Sequence, residues 1–306
     1  MRIGTRGSAL ALAQSGFVQK LLPGGEAGNI LSVIETTGDR NPLASLRRIG
    51  GKGIFTKEID TALLDRRIDL AVHSLKDLPT EETPGLAIGA LLTRVDPRDA
   101  LVSRGGLGLD QLPHGAVVGT SSFRRRAQLL ARRPDLTVED LRGNVPTRIA
   151  RVLSGTVDAI VIAAAGLIRL GMEGEIAEIL DESVMLPAPG QGIVAVQIRA
   201  DDVETREHLR AIHDPAAEAE ATAERTFLSG LGGGCLVPVG ARAVARDGML
   251  ALSGFVGHPE GRPSIRKSIE GPSATAAELG AELARRLLAQ GAREILDAVR
   301  SDEVFP

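Results

Sequence analysis

The chain has 306 residues, of which 43% are hydrophobic and 25% charged, and its formal net charge at pH 7 is −3. This composition excludes a disordered chain, and the length favours two or three domains over a single core. The near-neutral charge and the absence of tryptophan and tyrosine argue against a base-stacking nucleic-acid surface.

Membrane and secreted proteins are not expected from this sequence either. No stretch has the apolar length of a membrane span, and the N-terminal MRIGTRGSALALAQ lacks the apolar core of a signal peptide. One cysteine cannot form an internal disulfide, so nothing requires an oxidising compartment. We therefore expect a cytoplasmic protein with no membrane or nucleic-acid partner.

Strand and helix patterns alternate along the first two-thirds of the chain. The first unit contains a strand, a helix that Ser8 can cap, a strand, a helix and a strand, at residues 2–5, 8–22, 30–35, 56–67 and 68–74. A second unit repeats the alternation at residues 116–120, 120–133, 138–141, 144–155, 156–164, 166–171 and 193–199. Strands joined through helices favour parallel pairing in α/β sheets.

The pattern changes from about residue 216. A helix is followed by a GGGC loop and three alternating strands, at residues 217–231, 237–245, 248–257 and 262–270. One amphipathic helix closes the chain, and its apolar stripe comprises Leu279, Leu283, Leu287, Ile295 and Val299. This region is predicted to be α+β, and the whole chain to have three domains, two α/β and one α+β.

Lys76 and Asp77 stand where a predicted buried strand ends, in the segment HSLKDLPT. Open α/β sheets bind ligands outside the carboxyl ends of their strands, so both residues are placed for chemistry. The alternative is a surface turn with an ordinary lysine–aspartate pair, which contributes little. This segment alone leaves both interpretations open.

Two further segments place arginines at strand-to-helix turns, where free backbone N–H groups attract anions. Their candidate ligands for carboxylates or phosphates are Thr120, Ser121, Ser122, Arg124 and Arg125 in GTSSFRRR and Arg142 and Arg148 in RGNVPTR. A capped helix with a solvated basic face is the alternative. Two such turns in one domain favour a polyanionic ligand over a single carboxylate.

Three other residues each have a functional and a structural interpretation. Phe55, in IGGKGIFTKE, could cover a planar ligand or belong to the core, and Gln191, in PAPGQG, could be a ligand or a hinge residue. Cys235, in GGGCLVP, is the only cysteine, and a lone cysteine is commonly a small buried apolar residue. None of the five histidines has metal-ligand spacing to it, so no metal site is expected.

Nine segments together resemble the porphobilinogen deaminase family, whose members are also called hydroxymethylbilane synthases. In chain order they are IGTRGSALALAQ, GGKGIFTKE, AVHSLKDLPT, DPRDALVS, GTSSFRRRAQL, LRGNVPTR, DAIVIAAAGLIRLG, PAPGQG and ERTFLSGLGGGCLVPVG. They extend over nearly the whole chain, and nine in sequence are specific although each alone is weak. The chain departs from the family pattern at Leu236, where glutamine is common, and in RNPLASLRRI before Lys52.

The resemblance implies two doubly wound α/β domains, similar to two-lobed solute-binding proteins, and a smaller C-terminal α+β domain. The active site would lie in the cleft between the α/β domains. The implied boundaries are 1–93 with 193–213 for domain 1, 98–188 for domain 2, and 216–306 for domain 3, which carries the cysteine loop. A monomer is expected.

The resemblance also implies a transferase of tetrapyrrole and haem biosynthesis. Four molecules of its substrate, porphobilinogen, would be joined head to tail with loss of ammonia, and hydrolysis would release hydroxymethylbilane. The growing chain would be built on a dipyrromethane cofactor attached to Cys235 through a thioether. The glycines before Cys235 would let the backbone approach a bulky pyrrole.

Residue roles are implied at the matching positions. Asp77 would be catalytic and would stabilise the cation that forms as ammonia leaves, and Lys76 would help to keep it ionised. The cofactor would be held by Lys76, Asp77, Thr120, Ser121, Ser122, Arg124, Arg125, Arg148 and Cys235. The substrate and growing chain would be held by Arg6, Ser8, Phe55, Arg142, Arg148, Arg169 and Gln191. Each pyrrole carries two carboxylates, which accounts for the many guanidiniums.

Two other classes of function stay open on the residues alone. A non-catalytic two-lobed binder of small anions would explain the arginines, but the expected lack of an export signal and the GGGC loop count against it. An enzyme that uses Cys235 as a turned-over nucleophile would explain the thiol, but the sequence offers no obvious histidine partner.

Overall fold

The structure is a computed structural model that describes residues 1–40, 56–233 and 237–300. The chain divides into two compact units, each built from two separate stretches. Unit 1 comprises Met1–Val95 and Gly192–Glu218, and unit 2 comprises Asp96–Gln191 and Ala219–Pro306. The boundaries of three domains stay a prediction.

The described residues form strands and helices that are numbered here in chain order. The strands are β1 (Arg2–Thr5), β2 (Ile30–Val33), β3 (Leu70–Ser74), β4 (Leu86–Leu91), β5 (Asp99–Ser103), β6 (Val117–Gly119), β7 (Thr137–Glu139), β8 (Ala159–Ala163), β9 (Glu178–Ile179), β10 (Val194–Arg199), β11 (Val239–Arg246), β12 (Met249–Gly257) and β13 (Ser264–Pro272). The helices are α1 (Ala9–Leu21), α2 (Gly25–Gly28), α3 (Thr37–Arg40), α4 (Lys57–Leu64), α5 (Phe123–Arg132), α6 (Val145–Leu153), α7 (Ala164–Arg169), α8 (Val203–Leu209), α9 (Pro215–Gly230), α10 (Ala276–Leu288) and α11 (Ala292–Arg300).

The sheet of unit 1 has the strand order β2-β1-β3-β10-β4. β1 pairs in parallel with β2 and β3, whereas β10 pairs antiparallel with β3 and β4. Helices cover both faces, since Val18 of α1 packs with Leu70 and Leu63 of α4 packs with the next residue, Ala71. The parallel pairing expected of the helix-linked strands is confirmed for β1, β2 and β3. The sheet is nevertheless mixed, because β10, which the alternation had assigned to the second unit, lies between β3 and β4 and runs antiparallel to both.

The first sheet of unit 2 repeats this design with the order β7-β6-β8-β5-β9. β6 pairs in parallel with β7 and β8, and β5 pairs antiparallel with β8 and β9. Leu129 of α5 packs with Val161 on one face, while Ile149 of α6 and Leu167 of α7 pack with Ile160 on the other. The arginine-bearing helices α5 and α6 therefore lie on opposite faces of one sheet.

The C-terminal part of unit 2 is a three-stranded antiparallel sheet, β11-β12-β13, covered by helices. Phe227 of α9, Leu283 of α10 and Ile295 of α11 share one core cluster with Leu252 of β12. The predicted fold class is thus confirmed: two α/β sheets with helices on both faces, and a smaller α+β region.

The fold differs from the sequence-based expectations at the closing helix and at two strands. The closing helix is two helices, α10 and α11, because Gly291 between them takes a left-handed φ of +97°. The strands β4 and β5 were not predicted, since no α-helix separates either of them from the strand before it. Within the described ranges, every helix is too short or too polar to cross a membrane.

Candidate active site

Asp77 follows β3 in a single 3-10 turn, Leu75–Asp77. Leu75 and Leu78 on either side are buried, and the Leu75 N–H donates to the carbonyl oxygen of Ile193 at 3.0 Å. Asp77 is exposed, and among the described residues its carboxylate accepts no hydrogen bond and forms no ion pair. The buried leucines therefore anchor a turn that presents this carboxylate outward. Lys76 lies in the same turn, directly before Asp77.

Arg6 and Ser8 follow the end of β1, the neighbour of β3. Ser8 is the N-cap of α1, and its hydroxyl accepts from the Ala11 N–H at 3.3 Å. Arg6 pairs with Asp39, with 2.5 Å between Nη2 and Oδ1. Burial alone would raise the pKa of Asp39, but hydrogen bonds from Arg6 and Thr36 lower it below the usual value. Arg6 is thus held by a carboxylate partner that the sequence did not indicate.

A buried histidine, His73, lies four residues before Asp77, on the face of the sheet next to α4. His73 is 6% exposed, and its Nε2 atom has no hydrogen-bond partner among the described residues. Burial and, to a smaller extent, the charge of Arg6 lower the pKa of His73 to about 4, while Gln197 acts in the opposite direction. His73 is therefore a neutral imidazole at physiological pH.

The segment between β6 and α5 uses its hydroxyl groups internally. Ser122 is the N-cap of α5, its side chain accepting from the Arg125 N–H at 3.5 Å. Ser121 Oγ donates to the carbonyl oxygen of Leu141 at 2.6 Å. Thr120 is buried, and its Oγ1 accepts from the Ser122 N–H at 3.3 Å. These hydrogen bonds hold the turn that leads into α5, and the anion site expected at this helix start stays a prediction.

Arg124 and Arg125 both bind the carboxylate of Asp99, at the start of β5. Arg124 Nη1 donates to Asp99 Oδ2 at 2.6 Å, and Arg125 donates to Oδ1 from Nε at 3.0 Å and from Nη2 at 2.8 Å. The side chains are 4%, 8% and 0% exposed for Arg124, Arg125 and Asp99. Burial would raise the pKa of Asp99, but the charges of the two guanidiniums outweigh it and hold the pKa well below the usual range.

Gln191 joins the same cluster from the PAPGQG turn. Its amide nitrogen donates to the carbonyl oxygen of Pro97 at 2.7 Å and to Asp99 Oδ1 at 3.0 Å, and the residue is 1% exposed. Both N–H groups of the amide are engaged inside unit 2. This geometry favours the structural interpretation of Gln191 over that of a direct ligand.

Arg142 and Arg148 belong to the α6 side of the sheet in unit 2, opposite to the side of α5. Asn144 is the N-cap of α6 and accepts from the Thr147 N–H at 2.9 Å. Arg142 Nε donates to Asp140 Oδ2 at 3.1 Å, and Arg148 Nε donates to the carbonyl oxygen of Gly143 at 2.8 Å. Both guanidiniums stand beside a helix start, as predicted from RGNVPTR.

Arg169 lies at the end of α7, which follows β8 directly. Burial lowers the pKa of Arg169 to about 10, so the guanidinium stays charged at physiological pH. A charged group in partly desolvated surroundings binds an anion more strongly than one in open solvent.

Lys52, Phe55 and Cys235, all singled out from the sequence, lie outside the described residues. The flanks of the cysteine are described: α9 ends at Gly230 and β11 begins at Val239. A Cβ atom at Gly233 would stand 2.9 Å from the backbone oxygen of Leu228. Glycine is therefore required there by close packing on the end of α9.

Glu224 connects these flanks to the PAPGQG turn. Its carboxylate is 0% exposed and accepts from the Gly190 N–H and the Ala243 N–H, each at 2.7 Å. Glu224 lies on α9, which leads into the cysteine loop, and Ala243 lies on β11, which follows it. Gly190 is followed by Gln191, which donates to Asp99, the partner of both arginines. A series of buried hydrogen bonds therefore links both flanks of the cysteine loop to the arginine pair.

Sequence reasoning missed Asp39, Asp99 and Glu224. Asp99 stands in the quoted segment DPRDALVS, but no local pattern indicates that it pairs with residues 25 and 26 positions further on. Of the described residues, no three histidine, cysteine, aspartate or glutamate side chains form a group that could hold a metal ion.

Comparisons with known proteins agree with these features over nearly the whole chain. Residues 1–207 match the family model described as "Porphobilinogen deaminase, dipyromethane cofactor binding domain", and residues 218–289 match "Porphobilinogen deaminase, C-terminal domain". The PAPGQG turn, the arginine pair and Asp77 fall in the first match, and the helix before Cys235 begins near the start of the second.

Curated relatives named porphobilinogen deaminase are similar to this chain along their full length. The protein of Deinococcus radiodurans is 51% identical, with 97% of this chain and 98% of the relative covered. That of Thermus thermophilus is 52% identical with the same coverage, and that of Brevibacillus brevis is 47% identical over 99% and 98%. Among solved structures, the periplasmic VFT2 domain of Bordetella pertussis BvgS matches 69% of this chain and 86% of its own at 16% identity and a TM-score of 0.40, a likeness too distant to add to the fold description.

Proposed function

This chain belongs to the porphobilinogen deaminase family, and we propose that it catalyses that family's reaction. It is a transferase of tetrapyrrole biosynthesis that joins four porphobilinogen molecules head to tail, with loss of one ammonia at each step. Hydrolysis then releases linear hydroxymethylbilane. The observation that carries this proposal is identity of about half the residues with relatives of that name over 97% of the chain.

The residues of unit 2 fit a dipyrromethane that carries several carboxylates. Asp99 neutralises one of the two charges of Arg124 and Arg125, so this buried cluster keeps one uncompensated positive charge. Arg125 Nη1 donates no hydrogen bond within the described part of the chain, and the side chain as a whole is 8% exposed. An unmatched buried cation is costly, and a ligand carboxylate would remove that cost.

We assign the cofactor a covalent attachment to Cys235 and contacts between its carboxylates and basic or hydroxyl side chains. When bound, dipyrromethane would supply the free pyrrole carbon to which the first unit is joined, and each later unit would be joined to the ring added before it. The residues proposed to hold its carboxylates are Lys76, Thr120, Ser121, Ser122, Arg124, Arg125 and Arg148. Those hydroxyls already bind the backbone, so the arginines and the backbone N–H groups of the α5 start carry most of this binding.

Asp77 is proposed to stabilise the positive charge that develops on a porphobilinogen ring as ammonia leaves. Its carboxylate has no competing partner among the described residues, so it is available to a pyrrole N–H. One preorganised group of this kind contributes on the order of 3 kcal/mol to the transition state. Asp77 also accepts and returns protons between the leaving amine and the ring carbon.

The residues proposed for the carboxylates of incoming substrate are Arg6, Ser8, Arg142, Arg148 and Arg169. Asp39 and Asp140 hold two of these guanidiniums in place before substrate arrives, which lowers the entropic cost of binding. Phe55 is proposed to cover the site, and Gln191 to act through Asp99. We further propose that the protein works as a monomer in the cytoplasm.

Mass spectrometry of the intact denatured protein tests the tether. We expect the active protein to carry an adduct with the mass of two linked pyrroles, and Cys235→Ser to lack it. Active protein of unmodified mass would exclude the tether. That result would favour an enzyme that uses Cys235 as a turned-over nucleophile. If Cys235→Ser lacks the adduct but keeps its turnover, both the tether and the nucleophile role of Cys235 are excluded.

The variant Asp77→Asn tests the catalytic assignment. Loss of about 3 kcal/mol corresponds to a turnover roughly a hundredfold lower, with the adduct retained and the circular dichroism spectrum unchanged. Asp65→Asn, at another exposed aspartate of unit 1, is the matched control and should leave turnover unchanged. Turnover of Asp77→Asn close to that of the control would refute the role.

A further inference from the structure

Asp99 is the common partner of the polar side chains that meet beneath the start of α5. It is fully buried at the first position of β5, where its carbonyl oxygen accepts from the Leu180 N–H at 2.9 Å. Its carboxylate accepts from Gln191 as well as from both arginines. The backbone pairing and the amide fix this carboxylate before any ligand is present.

The two arginines depend on Asp99 to different degrees. Arg124 Nη1 also donates to the carbonyl oxygen of Leu186 at 2.7 Å, so a second contact fixes its guanidinium. The side-chain hydrogen bonds of Arg125 within the described residues all go to Asp99, from Nε and Nη2. Asp99 therefore accepts every side-chain hydrogen bond that orients Arg125 within this part of the chain.

We propose that Asp99 is a positioning residue that holds Arg125 through Nε and Nη2 and leaves Nη1 for one carboxylate of the dipyrromethane before the cofactor is attached. This inference rests on the proposed function. Asp99 also sets the charge of the cluster, because one carboxylate between two guanidiniums leaves a single positive charge for a single ligand carboxylate. The preformed geometry removes the cost of ordering a flexible guanidinium during attachment.

The test follows attachment itself and does not rely on turnover. Full-length protein made in cells that cannot produce porphobilinogen is incubated with porphobilinogen, and the adduct is followed over time by denaturing intact-mass measurement. We expect Asp99→Asn to acquire the adduct roughly tenfold more slowly than wild type. Asp135→Asn is the control, since it breaks the 2.8 Å pair between Asp135 and Arg133 at the other end of α5, and it should stay within about twofold. Attachment to Asp99→Asn at the wild-type rate would overturn the inference.

A second comparison separates positioning from a general loss of folding. Arg125→Gln should load slowly, and adding Asp99→Asn to it should cause less than about a twofold further change, because Asp99 acts through Arg125. The double variant should also be more stable to urea than Asp99→Asn alone, since it no longer buries an extra unmatched charge. The positioning role of Asp99 would be refuted if the double variant acquired the adduct tenfold more slowly than Arg125→Gln. It would also be refuted if the double variant, being more stable than Asp99→Asn, acquired the adduct at the wild-type rate.

The same experiment distinguishes the two proposals from each other. If wild-type protein acquires no adduct at all, the proposed cofactor attachment fails. If wild type and Asp99→Asn load equally, only the positioning role of Asp99 fails. If Asp99→Asn does not fold, the positioning role is decided by comparing the adduct formation of Arg125→Gln with that of the double variant.

Discussion

Acidification is expected to weaken unit 1 through the buried imidazole of His73. In the unfolded chain a histidine titrates near 6.5, whereas burial lowers the pKa of His73 to about 4. The unfolded chain therefore binds a proton over a pH range in which the folded protein does not. Stability supplied by the neutral imidazole is complete above pH 6.5 and is lost progressively as the pH falls from 6.5 to 4.

The size of this effect follows from the displacement of the pKa. A difference of one unit corresponds to about 1.36 kcal/mol, so the full displacement is worth about 3 kcal/mol. Most of it, about 2.5 kcal/mol, should be lost between pH 7.5 and pH 4.5. Asp60, in the same unit, acts in the opposite direction, because burial raises its pKa and its protonation favours the folded state.

Urea unfolding at a series of pH values measures the effect when wild type is compared with His73→Gln. The glutamine cannot titrate, and the contribution of Asp60 is common to both proteins and cancels in the comparison. Far-UV circular dichroism is the appropriate signal, since the chain has no tryptophan or tyrosine to report by fluorescence. His114→Gln replaces an exposed histidine of unit 2 and should follow the wild-type pH profile.

The reasoning is refuted if wild type and His73→Gln lose stability in parallel between pH 7.5 and pH 4.5. Such a result would mean that the folded protein accepts the proton on this imidazole without cost. A profile for His114→Gln that departs from wild type would show that the pH dependence does not come from burial.

Two further predictions concern packing and helix caps. Gly280→Ala should destabilise the protein by about 1–3 kcal/mol in urea unfolding, because the added Cβ would clash with the backbone oxygen of Ala223. In the control Gly16→Ala the added Cβ meets no atom within 4 Å, so this variant should be more stable than wild type by about 0.5–1 kcal/mol. Equal effects of the two substitutions would refute the packing argument. Ser122→Ala and Asn144→Ala should each cost about 1 kcal/mol, since each removes the side-chain cap of a helix, and unchanged melting of both would contradict the cap assignments.

Local signals in the sequence were sufficient for most of the elements. Periodicity indicated β1, β3 and β8, and the capping role of Ser8 followed from its place before an amphipathic run. These features depend on residues within one or two turns of each other, which is the distance over which propensity and capping act. The same reasoning failed at Gly291, where one amphipathic stripe continues across a break between two helices.

Motif order identified the family, because nine short segments in sequence carry more information than any periodicity. It also indicated which turns hold arginines and where the exposed carboxylate of Asp77 stands. The strands β4 and β5 escaped prediction because the expected alternation of strands and helices is interrupted before each of them.

The partners of the charged residues were decided only by the tertiary structure. Asp99 meets Arg124 across 25 positions of sequence and Gln191 across 92, and Glu224 meets Gly190 across 34. The sequence alone determined most of the elements and the chemistry that the side chains can offer. Which carboxylate neutralises which guanidinium depends on how strands distant in the chain are ordered in a sheet, and no local propensity encodes that order.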